Sequence, residues 1–350
     1  MKKIYPLATM LAGLASGGQV QAQVTLYGLL DTGVTYTNNT ASGGNSGSAL
    51  QLMSGVAQGE RWGLRGTETI SGTLRAVFAL ESGFQSDTGA PGQGGRLFGR
   101  QAYAGLSGDW GTLTLGRQYD LISDYMPGYA LAANTPAGLL AWSLPAYAAG
   151  GYQLDNRVWG DWVDNAVKYV SPDLGGLSFG AMAGLGEAAG SVSKRSTVSA
   201  GANYARGPVS AAVGYYRERD AFGVGTKAIY IAGAAYEHDA LRIFASASDV
   251  RLDGGSKPRA LTLEAGAVYK IWPSLSAGLG YQFQRRNNDL TSASQIGATL
   301  DYQFSRRTDA YMAGTYATDN AFNAQAVAAL GQPATGSRQL AARIGLRHRF

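Results

Sequence analysis

Apolar and polar residues alternate along most of this chain with the period of two that is typical of β-strands. In SQIGATLDYQF, residues 294–304, every second side chain from Ile296 to Phe304 is apolar or aromatic, and the side chains between them are polar or absent. The same alternation runs through residues 260–272, 275–284 and 73–84. Each segment is near the 9–11 residues that a tilted strand needs to cross a bilayer. The pattern predicts an all-β protein whose strands are long enough to span a membrane.

The connections between these segments are short turns in alternation with longer loops. Seven short turns, such as Ser71-Gly72 and His238-Asp239, alternate with eight polar or glycine-rich loops near residues 38–51, 87–96, 121–163, 188–195, 220–226, 253–259, 286–292 and 319–337. Fifteen connections require sixteen strands. An even strand number with tight turns at one end and long loops at the other is typical of bacterial outer-membrane barrels. We therefore predict a 16-stranded antiparallel transmembrane β-barrel.

A soluble β-sandwich, or several in tandem, is the alternative, since its strands also alternate apolar and polar residues. The apolar face here continues around all sixteen predicted strands. A soluble protein with that much apolar exterior would aggregate, so the alternation favours the barrel.

Composition fits an exported membrane protein better than a cytosolic enzyme. Only 15% of the residues are charged, Gly occurs 50 times and Cys does not occur. The missing Cys excludes disulfide frameworks, thiol nucleophiles and Cys-ligated metal sites. A net charge of +5, with the basic residues spread along the chain, is too mild to predict a nucleic-acid partner.

The N-terminus has the features of a secretory signal peptide. Lys2 and Lys3 precede a modest apolar stretch, residues 7–14, and Val20-Gln21-Ala22 resembles a cleavage site. We expect cleavage after Ala22, which leaves residues 23–350 as the barrel. No run of 18 apolar residues follows, so the sequence predicts no transmembrane helix.

Several stretches resemble the general porin family of Gram-negative outer membranes, in its beta-proteobacterial branch. They are QVTLYGLLDTGVTY (23–36), RWGLRGTE (61–68), LFGRQAYAGLSGDWGTLTLGRQYD (97–120), DNAVKYVSPDLGGLSFG (164–180) and the terminal Phe350. The resemblance implies an outer-membrane homotrimer of water-filled pores, with loop 3 folded into each lumen. It also implies that Phe350 is the signal read by the barrel-assembly machinery.

Residues 121–163 form a connection of about forty residues, a length that is usually functional or disordered. By strand parity Arg61, Arg65 and Arg75 point into the lumen opposite this loop. The family resemblance implies an inward arginine at Arg61, Arg100 and Arg157. Arg117 in LGRQYD is a further candidate for this basic wall.

The loop itself carries no charge between Tyr125 and Leu154, and the acids that flank this stretch are Asp120, Asp124 and Asp155. Arginines opposite a mostly neutral loop predict a positive field, and rings of Arg or Lys select anions. The hypothesis is a moderately anion-selective diffusion pore for small hydrophilic solutes. The alternative for each arginine is a salt bridge with Glu60, Glu68, Glu81 or Asp31 that only stiffens the wall.

The terminal strand AARIGLRHRF repeats the alternation. Arg343, Arg347 and Arg349 share one parity and are expected on a wetted lumen wall, while Ile344, Leu346 and Phe350 are expected to face lipid or a neighbouring subunit.

Two other classes of function stay open. A channel specific for one organic acid or sugar would be expected to carry an aromatic ladder in the lumen, whereas the predicted inward faces are rich in Gly, Gln, Thr and Arg. A barrel enzyme is disfavoured because the only two histidines, His238 and His348, are far apart in sequence, which argues against a Ser-His-Asp or histidine metal site. The sequence predicts no catalytic residue, cofactor or metal.

Overall fold

Antiparallel strands make up most of the residues that the structure describes. The computed structural model describes residues 23–42, 45–131, 148–149, 152–153, 162–191, 193–219, 225–253, 257, 259–287, 292–320 and 334–350. The strands are β1 Gln23–Ser42, β2 Asn45–Ser54, β3 Arg61–Ser71, β4 Leu74–Gly83, β5 Gln101–Gly108, β6 Gly111–Tyr119, β7 Ala148–Ala149, β8 Tyr152–Gln153, β9 Trp162–Val170, β10 Leu177–Gly184, β11 Thr197–Arg206, β12 Val209–Arg219, β13 Thr226–His238, β14 Leu241–Asp253, β15 Arg259–Trp272, β16 Leu275–Arg286, β17 Ser292–Gln303, β18 Thr308–Asp319 and β19 Arg338–Arg349.

The strands close into a barrel. β1 pairs with β19 from Leu29 opposite Arg349 to Thr37 opposite Ala341. On its other edge β1 pairs first with β3 and then with β2, so β2 and β3 are two parts of one wall strand. Among the described residues β7 and β8 pair only with each other and are not part of the barrel wall. The wall therefore has sixteen strands, all antiparallel, and the predicted fold class is confirmed.

The two ends of the barrel differ. Short turns such as 72–73, 207–208 and 239–240 join strands at one end, called here the turn end, and the long connections lie at the other, the loop end. Besides the strands, the described residues include the α-helix α1 Leu121–Tyr125 and two 3-10 helices, Gln93–Gly95 and Pro127–Tyr129. No helix among them is long and apolar enough to cross a membrane.

One predicted loop is shorter in the structure. Residues 38–51 were expected to be a loop, but most of them extend β1 and β2, and only residues 43–44 separate the two strands. Asn39 takes a positive φ of 52° at the register shift between Thr37 and Thr40. The polar stretch thus forms a hairpin arm with one irregularity, because polar residues are tolerated in strands beyond the membrane.

Side chains alternate across the wall as the sequence predicts. In β19 Leu340, Ile344 and Leu346 are exposed on the outside, while Ala341 and Arg343 between them are buried. Outward apolar side chains are the surface that a hydrocarbon core accepts, and inward ones meet the contents of the barrel.

A buried polar network holds the junction of β2 and β3. The Asp31 carboxylate accepts hydrogen bonds from the backbone N–H groups of Ala57 and Gln58, at 2.7 and 2.8 Å, and from Tyr311 Oη at 2.6 Å. Arg343 lies 3.5 Å from the same carboxylate, and both side chains are fully buried. Arg343 does point inward, but the expectation that it is wetted is wrong. It is buried, and it donates hydrogen bonds to Tyr311 Oη at 2.7 Å and to the Met53 carbonyl at 3.0 Å.

Candidate functional site

The connection between β6 and β9 begins with a capped helix. Asp120 is the N-cap of α1, and its carboxylate accepts a hydrogen bond from the Ser123 N–H at 2.9 Å. Such a cap satisfies a backbone donor that would otherwise lack a partner at the helix start. Asp120 is fully buried, so its role in the structure is to start this helix.

The helix packs on a row of glycines on the inner face of the wall. Gly180, Gly201 and Gly214 lie directly opposite one another on three adjacent strands, β10, β11 and β12. A Cβ built on any of them would come within 2.8–3.0 Å of a loop side chain, closer than van der Waals contact allows. The side chains that occupy this space are Leu121 over Gly180, Tyr125 over Gly201 and Ile122 over Gly214.

The chain after α1 continues along the inner face of β13–β15. Tyr129 lies over Gly233, since a Cβ built on Gly233 would be 2.6 Å from the Cβ of Tyr129. Arg242 Nη2 donates to the Gly128 carbonyl at 2.7 Å, and the Leu131 N–H donates to Glu264 Oε1 at 2.9 Å. Residues 120–131 are therefore fixed to one side of the barrel interior; the fold of loop 3 as a whole stays a prediction.

The opposite side of the interior carries two arginines on β3. Arg61 lies opposite Leu29 and Arg65 opposite Thr25, on the same face as Tyr27, and the Arg65 guanidinium lies 5.0 Å from the centre of the Tyr27 ring. Arg61 Nε donates to the Gly59 carbonyl at 2.9 Å. Within the described part of the chain, neither arginine forms an ion pair with a carboxylate.

A cavity of about 360 Å³ lies beside Arg65. The polar residues that line it are Gln23, Thr25, Arg65, Thr67, Tyr103, Thr112 and Thr114. The guanidinium thus borders open space that hydroxyl groups also line.

Arg100 differs from these two because its charge is paired. Arg100 Nε lies 2.8 Å from Glu81 Oε1, and both side chains are more than nine-tenths buried. Tyr27 Oη donates to the other Glu81 oxygen at 2.9 Å. The guanidinium also stacks 5.7 Å from the Tyr119 ring. The salt-bridge alternative therefore describes Arg100, whose charge Glu81 largely offsets.

Asp124 faces a lysine that the sequence analysis did not select. Lys168 Nζ lies 2.5 Å from Asp124 Oδ2 and donates to the Tyr119 carbonyl at 2.9 Å. Desolvation inside the barrel raises the pKa of the Asp124 carboxyl, and the Lys168 ammonium offsets part of that rise, although a third of the Asp124 side chain stays open to the lumen. The pair adds little net charge while the carboxyl is ionised.

Similarity to known proteins decides the family. Residues 8–321 match the family model of the Gram-negative porin. The chain belongs to the Gram-negative porin family. An outer membrane porin protein of Bordetella pertussis is 30% identical over the full length of both chains. Outer membrane porin protein 32 of Delftia acidovorans is 29% identical over 97% of this chain and 98% of its own.

Solved structures agree with this assignment. The anion-selective porin from Comamonas acidovorans matches 94% of this chain and all of its own with a TM-score of 0.80 and 25% identity. This porin is accordingly an outer-membrane, multi-pass β-barrel and a channel for small solutes. Its relatives are channels and not enzymes. Among the described residues no group of His, Cys, Asp and Glu could hold a metal ion.

Two predicted members of the basic wall lie apart from the arginines of β3. Arg75 has the inward parity but pairs with Thr69 at the turn end, whereas Arg61 pairs with Gly83. Arg75 and Gly83 are eight residues apart on β4, so Arg75 lies roughly 26 Å from the level of Arg61 along the strand. Arg117 lies opposite Ala102 on the outward parity of Leu115. The structure does not bring either residue together with Arg61.

Arg117 instead belongs to a cluster at the loop end of the barrel that consists of Arg96, Arg117 and Asp164. It forms an ion pair with Asp164 at 2.5 Å, and Arg96 binds the same carboxylate at 2.9 Å. A register shift between Gly116 and Gln118 interrupts the pairing of β6 with β9 here. Arg157 and Asp155 lie outside the described residues.

Phe350 completes the barrel seam. Its N–H donates to the Gly28 carbonyl at 3.1 Å, and its carbonyl accepts from the Gly28 N–H at 3.0 Å. A Cβ on Gly28 would lie 2.2 Å from the Phe350 ring, so this glycine makes room for the aromatic side chain. The ring stays 43% exposed on the outer face.

Sequence reasoning missed the glycine row and Lys168. Each glycine has the inward parity of its strand, so aligning the strands in register would have placed Gly180, Gly201 and Gly214 side by side. Lys168 shares the parity of Ala166 and lies opposite Thr114. Its inward parity was the available signal, but the predicted basic wall consisted of arginines alone.

Proposed function

We propose that this porin is a general diffusion channel with a moderate preference for anions, set by Arg61 and Arg65. The observation that carries the proposal is that both arginines have inward parity on β3 without a carboxylate partner among the described residues. The paired charges of Arg100 with Glu81 and of Lys168 with Asp124 nearly cancel. The similar barrel from Comamonas acidovorans is an anion-selective porin, which supports the same sign.

A simple Coulomb estimate gives the size of the effect. An ion that passes at about 5 Å from one unit charge gains or loses roughly 0.8 kcal/mol in a water-like dielectric. Two arginines then favour an anion over a cation by up to about 3 kcal/mol, and salt at 0.1 M, where the Debye length is about 10 Å, screens part of this. This value is an upper limit for an ion that passes close to both guanidinium groups, and the interaction weakens as the distance grows. We therefore expect a preference of several-fold to about tenfold across the pore, which is a bias and not exclusion of cations.

Loop 3 completes the proposed pore. Its beginning, residues 120–131, lies against the glycine row, and we infer that the rest of the loop extends across the lumen toward β3. Arg157, at a position where the family resemblance implies an inward arginine, would then add to the basic side. The loop flank at Asp155 would contribute the opposing acid.

Assembly follows the family in this proposal. Three barrels form the homotrimer, and Phe350 with its exposed ring acts as the signal for the barrel-assembly machinery during insertion. Cleavage after Ala22 would precede insertion.

The test is the zero-current potential of the purified porin in a planar bilayer under a KCl gradient. The Arg61→Ser/Arg65→Ser variant should lose most of the chloride preference of the unaltered porin. The matched control is Arg306→Ser/Arg307→Ser, which removes the same charge from an exposed turn between β17 and β18 and should leave the potential nearly unchanged. A preference for cations in the unaltered porin would refute the anion-selective mechanism but would not contradict its function as a diffusion channel.

A channel specific for one organic acid or sugar is the second candidate, and one observation favours it. Tyr27 and Tyr103 border the same inner region as Arg65, so aromatic side chains do lie beside the charge. Liposome-swelling rates separate the two functions: a smooth decline with solute size indicates general diffusion, and saturation by one solute indicates a binding site.

A further inference from the structure

Four arginines lie side by side on the outer face of the wall at the loop end. Three of them follow the register of neighbouring strands, since Arg217 is opposite Ala228, Ala228 opposite Arg251, and Arg251 opposite Arg259. Arg285 on the next strand is opposite Leu261. These four residues, Arg217, Arg251, Arg259 and Arg285, are called here the outer arginine row. Their strand parities are those of the exposed residues Val213, Ile243, Leu261 and Leu279.

Two members of the row share one carboxylate. Arg251 Nε lies 2.8 Å from Asp249 Oδ2, and Arg259 Nε lies 2.7 Å from Asp249 Oδ1. Asp249 is 13% exposed, whereas the two arginine side chains remain 50% and 47% exposed. Each guanidinium has five N–H donors, and two of each bond Asp249. The carboxylate orients both groups and leaves donors pointing outward.

The rest of the row leaves positive charge in excess. Within the described part of the chain, Arg217 and Arg285 form no ion pair. Arg219 and Asp253 lie on the same outer face, each two residues nearer the loops than Arg217 and Arg251, and both are level with Thr226. Their opposite charges offset each other. Four arginines against Asp249 therefore give this patch a clear positive charge.

A small cavity opens at one end of the row. It has a volume of about 240 Å³, and the residues that line it are Arg259, Leu261, Arg285, Arg286 and Asn287. Asn287 is held in place because its side-chain oxygen accepts the Arg259 N–H at 2.6 Å. The cavity therefore combines two outward guanidinium groups with an apolar floor at Leu261.

The height of the row matches the edge of the apolar band. Leu261 lies level with Arg285, and Tyr230 and Leu263 follow on the side away from the loops, all exposed on the outer face. Arg251 stacks 5.0 Å from the Tyr230 ring. An arginine on the lipid face of a barrel costs about 2–4 kcal/mol at the bilayer midplane and about 0–1 kcal/mol near the interface. A row of arginines at one height is therefore expected where hydrocarbon ends and headgroups begin.

We propose that the outer arginine row binds the phosphate groups of lipid headgroups in the leaflet on the loop side of the membrane. The planar guanidinium fork matches phosphate oxygens in two parallel hydrogen bonds. A lipid seated there places its phosphate in the cavity at Arg259 and Arg285 and its acyl chains on Leu261 and Leu263. This inference concerns the outside of the barrel and stands apart from the proposed ion selectivity.

The test uses the folded porin in a neutral detergent and native mass spectrometry. The probes are dioleoyl phosphatidic acid, dioleoyl phosphatidylcholine and inorganic phosphate. Phosphatidic acid should bind more tightly than phosphatidylcholine, and the Arg251→Ser/Arg259→Ser/Arg285→Ser variant should bind it at least about tenfold more weakly, since a lost charge-assisted hydrogen bond reduces affinity by that factor or more. Arg285→Ser alone, which breaks no ion pair among the described residues, should give a several-fold loss in a fully folded barrel.

The matched control is Arg206→Ser/Arg306→Ser/Arg307→Ser, which removes the same charge at the turn end. It should keep the affinity for phosphatidic acid. Three results would each overturn the proposal. The control could lose as much affinity for phosphatidic acid as the row variant, the two lipids could bind equally tightly, or inorganic phosphate at the same phosphate concentration could displace the lipid. The last result would indicate a site for free phosphate.

Discussion

Gly201 offers the sharpest test of how loop 3 is seated. A Cβ at this position would lie 2.8 Å from Tyr125 Cδ2, whereas carbon atoms pack best at about 3.5–4.0 Å. Gly201→Ala therefore forces the loop, the strand or both to move by roughly 0.7 Å or more. Such overpacking typically costs about 1–3 kcal/mol. The strand itself should not suffer, because Gly inside a strand is about 0.5–1 kcal/mol less favourable than Ala.

The cost should fall on the contact between loop and wall. A change of about 1–3 kcal/mol shifts a two-state equilibrium by roughly 5- to 150-fold, so the released state of residues 120–131 should become more populated by such a factor. Single-channel recordings of Gly201→Ala should show more frequent sub-conductance events than those of the unaltered porin. Gly214→Ala brings a Cβ to 3.0 Å from Ile122. It should also increase the frequency of sub-conductance events, but less than Gly201→Ala does.

A glycine without such a neighbour provides the control. A Cβ on Gly314 would meet nothing nearer than the Ala341 carbonyl at 4.0 Å. Gly314→Ala should therefore give quiet channels of normal conductance. If Gly201→Ala and Gly314→Ala give the same traces, the glycine row does not hold the loop and the reasoning is refuted.

Two further predictions follow from buried charges. Because desolvation raises the pKa of the Asp124 carboxyl above its ordinary value, acidification should neutralise it at a higher pH than an exposed carboxyl and leave the Lys168 ammonium unpaired. The chloride preference should therefore rise as this carboxyl takes up its proton, and in Asp124→Asn it should already be high at about pH 7. Arg343→Ala leaves the fully buried Asp31 without its cation and should lower the free energy of unfolding by about 3–5 kcal/mol in urea titrations of the refolded barrel. Arg349→Ala, at a side chain 38% exposed, should cost about 1 kcal/mol or less; equal losses would contradict the assigned role of burial.

The barrel was predictable from sequence because a membrane strand has one dominant constraint. Lipid accepts only apolar side chains on the outer face, so the period of two survives in nearly every strand. The strand number followed from turns such as 207–208 and 239–240. The prediction failed at residues 38–51, where β1 and β2 extend beyond the apolar band and polar residues give no alternation to follow.

The pore lining was less predictable, because parity reports a face and not a height or a partner. Arg61 and Arg75 share a parity, yet the structure separates them by most of the length of β3 and β4. Arg100 and Arg65 both carry a charge, yet only Arg100 has Glu81 beside it. Arg117 was selected from the LGRQYD segment and not from parity, and in the structure it has the outward parity of Leu115.

The same strands carry two separate sets of charges, and alternation explains how they stay independent. On β12, Glu218 faces inward and lies 3.1 Å from Lys227, while Arg217 next to it faces outward in the arginine row. Adjacent residues of a strand lie on opposite faces of the wall, so a substitution of Arg217 changes the charge seen by lipid and leaves the inner pair in place. Ion selectivity and lipid binding can therefore vary separately, and the serine variants of β3 and of the outer arginine row should each affect one property and not the other.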